Sequence, residues 1–293
     1  MTQQPRTLAA CSIAEAIGTF LLVFFGCGAV HTAVLTGELT GLWQVGAVWG
    51  VAIMLAIYSI GAISGAHINP AITTALACWG LFPKQRVPAY VMAQLFGAFF
   101  AAAALYCIYS PFLQAKERQK GVTRGQPGSE ITAMCYGEYF PNPGPMAGGV
   151  YAYSPSEHEF FNTRVTELGA CLAEVMGTAI LAFMVVALTE GRNPVGPRFM
   201  APVFIGLTVT ALICVIAPLT QACFNPARDF GPRLFAYFAG WGPIAIPGPR
   251  GAGIFTVYIL SPLVGGVLGV GVYQCLVRPM VAPLLRPQED SNS

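Results

Sequence analysis

The sequence predicts an all-α membrane protein: six transmembrane helices plus two re-entrant half-helices, arranged as an inverted three-span repeat. Of its 293 residues, 55% are hydrophobic and only 10% charged, and the mean hydropathy is +0.62. A soluble domain carries roughly a quarter charged residues. Apolar runs of about 20 residues, enough to cross a bilayer core of about 30 Å, recur six times. The triplet Asn-Pro-Ala occurs twice, as Asn69-Pro70-Ala71 and Asn225-Pro226-Ala227, each opening an apolar stretch too short to span.

In chain order the spans fall at 9–35, 42–63, 88–110, 168–190, 200–219 and 253–279, with the short stretches at 69–79 and 226–238. The first run follows a short polar N-terminus without a convincing small-residue cleavage site, so it reads as a retained span rather than a signal peptide. Asn is a good helix N-cap, and Pro fits the first turn because its missing N–H is not needed there. Each triplet therefore marks the start of a half-helix. Residues 111–166 form one long polar connection with mixed charges such as Lys116, Glu117, Arg124, Glu138, Glu157 and Glu159, which reads as a folded extramembrane loop with a solvated charged face. In the shorter connections, Arg6, Lys84, Arg86, Arg192, Arg198, Arg278 and Arg286 all fall on one side if the termini are cytoplasmic. The positive-inside rule then puts the long loop outside. The whole chain, 1–293, reads as one membrane domain, with repeat 1 at about 9–110 and repeat 2 at about 167–280.

A second recurrence supports the repeat. Ala14-Glu15-Ala16-Ile17-Gly18-Thr19 resembles Ala173-Glu174-Val175-Met176-Gly177-Thr178. Glu174 lies 159 positions after Glu15, and Asn225 lies 156 after Asn69. Two motifs returning at nearly one offset argue for duplication of a whole half. An odd number of spans per half forces the second to insert upside down, so the half-helices enter from opposite faces and meet at their N-termini near the midplane.

Carboxylates inside apolar spans are costly unless satisfied. Glu15 and Glu174 therefore act either as proton-relay or ion-binding groups or as braces accepting backbone N–H groups of the loops before each half-helix; one per half suits a brace. The amides of Asn69 and Asn225 either cap their helices or also offer donors to a shared cavity. Two helix N-termini there, each equivalent to about half a positive charge, would repel cations. Arg228 could pair with Asp229, reach headgroups, or stand at a constriction as a multi-donor grip on hydroxyl oxygens. His67 reads as a packed residue holding its loop rather than a gate. The nine cysteines are scattered, with no Cys-x-x-Cys pair or Cys/His cluster, so no metal, cofactor or disulfide framework is expected. A net charge of +2 gives no support for nucleic-acid binding.

The strings Ser64-Gly65-Ala66-His67-Ile68-Asn69-Pro70-Ala71 and Asn225-Pro226-Ala227-Arg228-Asp229-Phe230-Gly231-Pro232-Arg233, with the two Glu-x-x-Gly-Thr motifs, resemble the major intrinsic proteins (the aquaporin family) along nearly the whole chain. Asp229 with Arg233, the pair Pro262-Leu263 and the long loop 111–166 point to its aquaglyceroporin branch. The resemblance implies a plasma-membrane homotetramer with one pore per subunit, conducting glycerol, other small neutral solutes and some water. It implies a narrow filter of Trp49, Ile213, Ala222 and Arg228, and an acceptor ladder from the carbonyls of Gly65, Ala66, His67, Gln221, Ala222 and Cys223. The filter departs from the usual glycerol pattern: Ile213 and Ala222 stand where Gly and a second aromatic are common, an exchange nearer to some plant nodulin-type relatives. Gln221 replaces a small residue and is expected to narrow the vestibule.

These features point to a passive channel without covalent chemistry. The rival readings are a broader neutral-solute or mainly water channel, a closed structural membrane protein, and an ion-coupled transporter using Glu15 and Glu174.

Overall fold

The computed structural model describes residues 6–143, 162–191 and 193–281. Of the sequence expectations, those for Arg192, Arg286 and the stretch 144–161, with Glu157 and Glu159, lie outside the described residues. Six helices among the described residues are long and apolar enough to cross a membrane. They are α1 (Leu8–Thr36), α2 (Leu42–Ser64), α4 (Val87–Lys120), α6 (Glu167–Thr189), α7 (Ala201–Thr220) and α9 (Gly253–Val281). The half-helices are α3 (Pro70–Cys78) and α8 (Pro226–Ala236), and a single turn, α5 (Glu130–Ala133), lies in the long connection.

Local chemistry sets the ends. Thr7 caps α1 by accepting the Ala10 N–H at 3.2 Å, and Thr166 caps α6 by accepting that of Gly169 at 3.1 Å. In α3, Asn69 accepts the Ala71 N–H at 2.8 Å; in α8, Asn225 accepts that of Ala227 at 3.0 Å. In both, Pro occupies the first helical position.

The packing has the symmetry of the repeat. α1 packs on α2 and α4, and α6 packs likewise on α7 and α9. α3 lies against α9 and α8 against α4, so each half-helix is held by the last long helix of the other half. α2 and α7 cross on the pseudo-twofold, where a Cβ on Gly206 would lie 2.4 Å from the Gly50 carbonyl and one on Gly50 would lie 2.8 Å from that of Gly206. Only a pair without side chains permits that approach.

The long connection departs from expectation in two ways. α4 does not stop near 110 but runs on to Lys120, because Gly121 at φ 63° supplies the left-handed cap that ends it. The segment that follows is not a solvated face. Ile131, Met134, Cys135, Tyr136, Tyr139 and Trp241 form a core of their own, and Glu117 and Glu138 are buried. Arg124 joins Glu117 at 2.9 Å while its guanidinium stacks 4.1 Å from the Trp241 ring.

Candidate pore

The loops before α3 and α8 carry the unusual backbone. Gly65, Ala66 and Ile68 have φ of 90°, 50° and 44°, and their counterparts Gln221, Ala222 and Phe224 have 60°, 60° and 54°. For residues with a Cβ, each left-handed conformation costs about 1–2 kcal/mol and persists only where surroundings enforce it. The enforcing groups are the two span carboxylates. Glu15 accepts the N–H of His67 at 2.9 Å and of Ile68 at 2.6 Å, and the Ser64 hydroxyl at 2.7 Å; Gln94 from α4 also donates to it. Glu174 repeats the set on Cys223 at 2.9 Å, Phe224 at 2.8 Å and the Thr220 hydroxyl at 2.6 Å. These bonds are the ones a bracing role requires.

So held, the two N-caps touch. Asn69 Nδ2 donates to the Phe224 carbonyl and Asn225 Nδ2 to the Ile68 carbonyl, both at 2.8 Å. α3 and α8 start at this junction and run apart, with their positive ends facing each other. One N–H of each amide is used across the junction, and one remains.

A cavity of about 270 Å³ passes the junction. Asn69 and Asn225 line it, as do Gly65, Ala66, His67, Cys223, and the four filter candidates Trp49, Ile213, Ala222 and Arg228. Most of the remaining lining is apolar, including Ile53, Ile57, Ile72, Leu76, Leu181, Val185, Ile205 and Val209. His67 is packed as expected, Nδ1 lying 3.2 Å from the Thr73 hydroxyl and its ring 4.6 Å from that of Phe82. Pro70, Ala71, Pro226 and Ala227 are buried in the first turns of their helices, off the cavity. Pro262 and Leu263 lie in α9, away from it; a wide turn at Thr256–Leu260 precedes Pro262 and absorbs its missing N–H.

Two expectations are corrected. Arg228 pairs neither with Asp229 nor with the surface: it is buried, stacks 4.2 Å from the Trp49 ring, and its Nη1 meets the Glu138 carboxylate. Asp229 instead takes Arg233, through bonds of 3.0 and 2.9 Å. Four residues along a helix brings those two side chains together, whereas adjacent residues point apart. The Gln221 side chain does not enter the cavity; it turns away to accept the Tyr139 N–H at 2.8 Å and to donate to the Met134 carbonyl, tying the long connection to the filter loop. Glu138 was no candidate from the sequence. The run of apolar and aromatic residues around it, Ile131 to Phe140 within an otherwise polar loop, was the available signal that this segment folds inward.

An all-helical membrane fold with two opposed half-helices around an apolar cavity defines the class, and sequence comparison places the chain within it. The profile of the major intrinsic proteins matches residues 2–273. The chain belongs to the major intrinsic protein family. It is 38% identical to the glycerol uptake facilitator protein of Pseudomonas aeruginosa over 94% of this chain and 92% of that one. It is 36% identical to the protein of that name in Escherichia coli, over 94% and 90%, and 37% identical to a propanediol uptake facilitator of Citrobacter freundii, over 92% and 93%. The fold matches the X-ray structure of the aquaglyceroporin from Plasmodium falciparum with a TM-score of 0.76 at 24% identity, covering 94% of this chain and all of that one.

Proposed function

We propose that the chain is a passive channel for glycerol and other small uncharged solutes, with some water, that excludes ions and protons. The observation that carries this is the cavity itself: its lining is mostly apolar, and its few polar side chains include the Asn69 and Asn225 amides at the junction and the Arg228 guanidinium. The carbon skeleton of a polyol fits the wall while its hydroxyls meet Arg228 and the two amides. The acceptor ladder of Gly65, Ala66, His67, Gln221, Ala222 and Cys223 would serve the same hydroxyls, with Gln221 contributing through its backbone alone. The opposed helix ends place positive potential where a cation would have to shed its water. Relatives named for glycerol and propanediol uptake support the same solute class. No catalytic step is required of any residue.

By the same reading the channel sits in the plasma membrane with cytoplasmic termini, its long connection outside, as a homotetramer with a pore in each subunit. Light scattering on purified proteoliposomes under glycerol, urea and sucrose gradients tests the function. The expected result is glycerol and urea entry well above empty vesicles, unaltered by a superimposed proton gradient. Entry at the empty-vesicle rate for all solutes would sink it.

A further inference from the structure

Trp49 and Arg228 both line the cavity, with the guanidinium stacked 4.2 Å from the indole ring. The indole rests against Gly26 of α1. A Cβ built on Gly26 would lie 2.2 to 2.4 Å from three carbons of the ring's six-membered half, Cε3, Cζ3 and Cδ2. Carbon atoms in ordinary contact stay about 3.5 Å or more apart. The ring therefore fills the space in which any other residue at 26 would hold its first side-chain carbon, and in that seat Trp49 is only 4% exposed.

Neither helix is free to step back. α2, which carries Trp49, is held to α7 at the very next residue: a Cβ on Gly50 would lie 2.3 Å from the Thr210 hydroxyl and 2.8 Å from the Gly206 carbonyl. α1 is held to α4, where a Cβ on Gly97 would lie 2.1 Å from the Ala16 carbonyl and one on Gly28 would touch Leu105 at 3.4 Å. A side chain at 26 must then be accommodated by the ring itself, displaced from α1 by roughly 1 Å or more. Packed interiors hold few voids, so the space open to a displaced indole is the cavity that it lines.

We propose that Gly26 is a positioning residue for solute selection. By carrying no side chain it keeps the Trp49 indole withdrawn from the cavity and laid against Arg228, and so sets the width open to a carbon chain. The solutes that depend on this seat are uncharged molecules thicker than water, polyols above all, because a displaced indole takes away width that water does not need. Glycine also seats an indole elsewhere in the fold without facing the cavity: a Cβ on Gly271 of α9 would lie 2.5 Å from the ring of Trp79. Trp79 is exposed at the end of α3 and is not part of the cavity lining. The same overlap there should act on stability and leave selection alone.

The proposal rests on the channel reading, and the test separates the two. Wild type, Gly26→Ala, Trp49→Phe, the double variant and Gly271→Ala are reconstituted, and glycerol, urea and water permeabilities are measured. Gly26→Ala should lower the glycerol-to-water ratio several-fold, with urea falling less. Trp49→Phe supplies a smaller ring, and substitutions at residues in contact are not additive. Adding Gly26→Ala to Trp49→Phe should therefore change the ratio by less than about twofold. Gly271→Ala should keep the wild-type ratio. A wild-type ratio in Gly26→Ala would overturn the proposal, as would equal falls with and without Trp49→Phe, or an equal fall in Gly271→Ala. If Gly26→Ala alone does not insert, the double variant decides: the ratio of Trp49→Phe supports the seat, while a much lower ratio or a failure to insert overturns it. A wild-type protein that passes no glycerol would instead remove the channel reading.

Discussion

Ile213 and Ala222 both line the cavity beside Trp49 and Arg228, so the exchange of bulk between them is expected to act on what passes. Moving a branched aliphatic group onto α7 and removing an aromatic from the loop keeps the wall apolar but changes its shape. Ile213→Gly combined with Ala222→Phe should raise the glycerol-to-water permeability ratio. An unchanged ratio would mean that the two positions do not bound the constriction. At Arg228 the expectation is loss of selection: Arg228→Ala removes the stacking on Trp49 and leaves the Glu138 carboxylate buried without its partner. Removing one member of a buried ion pair costs about 3–5 kcal/mol, so a lower unfolding temperature in detergent should accompany any altered flux. Arg228 was recognisable from the residues around it, but its partner was not. Glu138 lies 90 positions earlier in a loop, and no spacing rule links them.

The half-helix loops are the elements on which the cavity depends. Each puts three residues in left-handed conformations and relies on one carboxylate to hold the N–H groups so exposed. Glu174→Ala would leave the N–H groups of Cys223 and Phe224 and the Thr220 hydroxyl without an acceptor. At about 1–3 kcal/mol for each buried orphan, the loss should reach at least ~3 kcal/mol, read as a fall in thermal stability. Glu174→Gln keeps one acceptor oxygen and should lose less. Residual flux through either variant should stay independent of a proton gradient; abolition of gradient-driven uptake would restore the coupled-transporter reading. The duplicated Glu-x-x-Gly-Thr and Asn-Pro-Ala strings made these elements visible, because both depend on chemistry within a few residues. The inward fold of 130–143 left only the apolar and aromatic run Ile131 to Phe140 as a signal, since its burial depends on contacts with distant segments, including the Gln221 side chain.

At the scale of the molecule, the long helices expose a broad apolar surface, including Trp43, Met92, Phe96, Leu168, Leu172 and Leu268. Lipid would cover such faces, and in the proposed homotetramer other subunits would cover part of them, while the cavity lies inside one chain. Purified protein is therefore expected to run as four copies in mild detergent, by light scattering corrected for bound detergent. A monomer that conducts normally would show that assembly is separable from transport. The close crossing at Gly50 and Gly206 lies within the subunit, so Gly50→Leu should prevent folding of the single chain rather than only its association, seen as loss of membrane-inserted protein.

The sequence by itself determined the class, the six spans, the inverted repeat and the opposed Asn69 and Asn225. Length, hydropathy, helix-capping chemistry and duplication are written locally, and the bilayer tolerates few other solutions. Tertiary structure alone decided what stands against Arg228. Asp229 was its nearest acid along the chain, yet helix geometry turned Asp229 to Arg233 and left the guanidinium to a carboxylate from a distant segment. Contacts of that kind arise from how the long connection folds back onto α8, which no local pattern encodes.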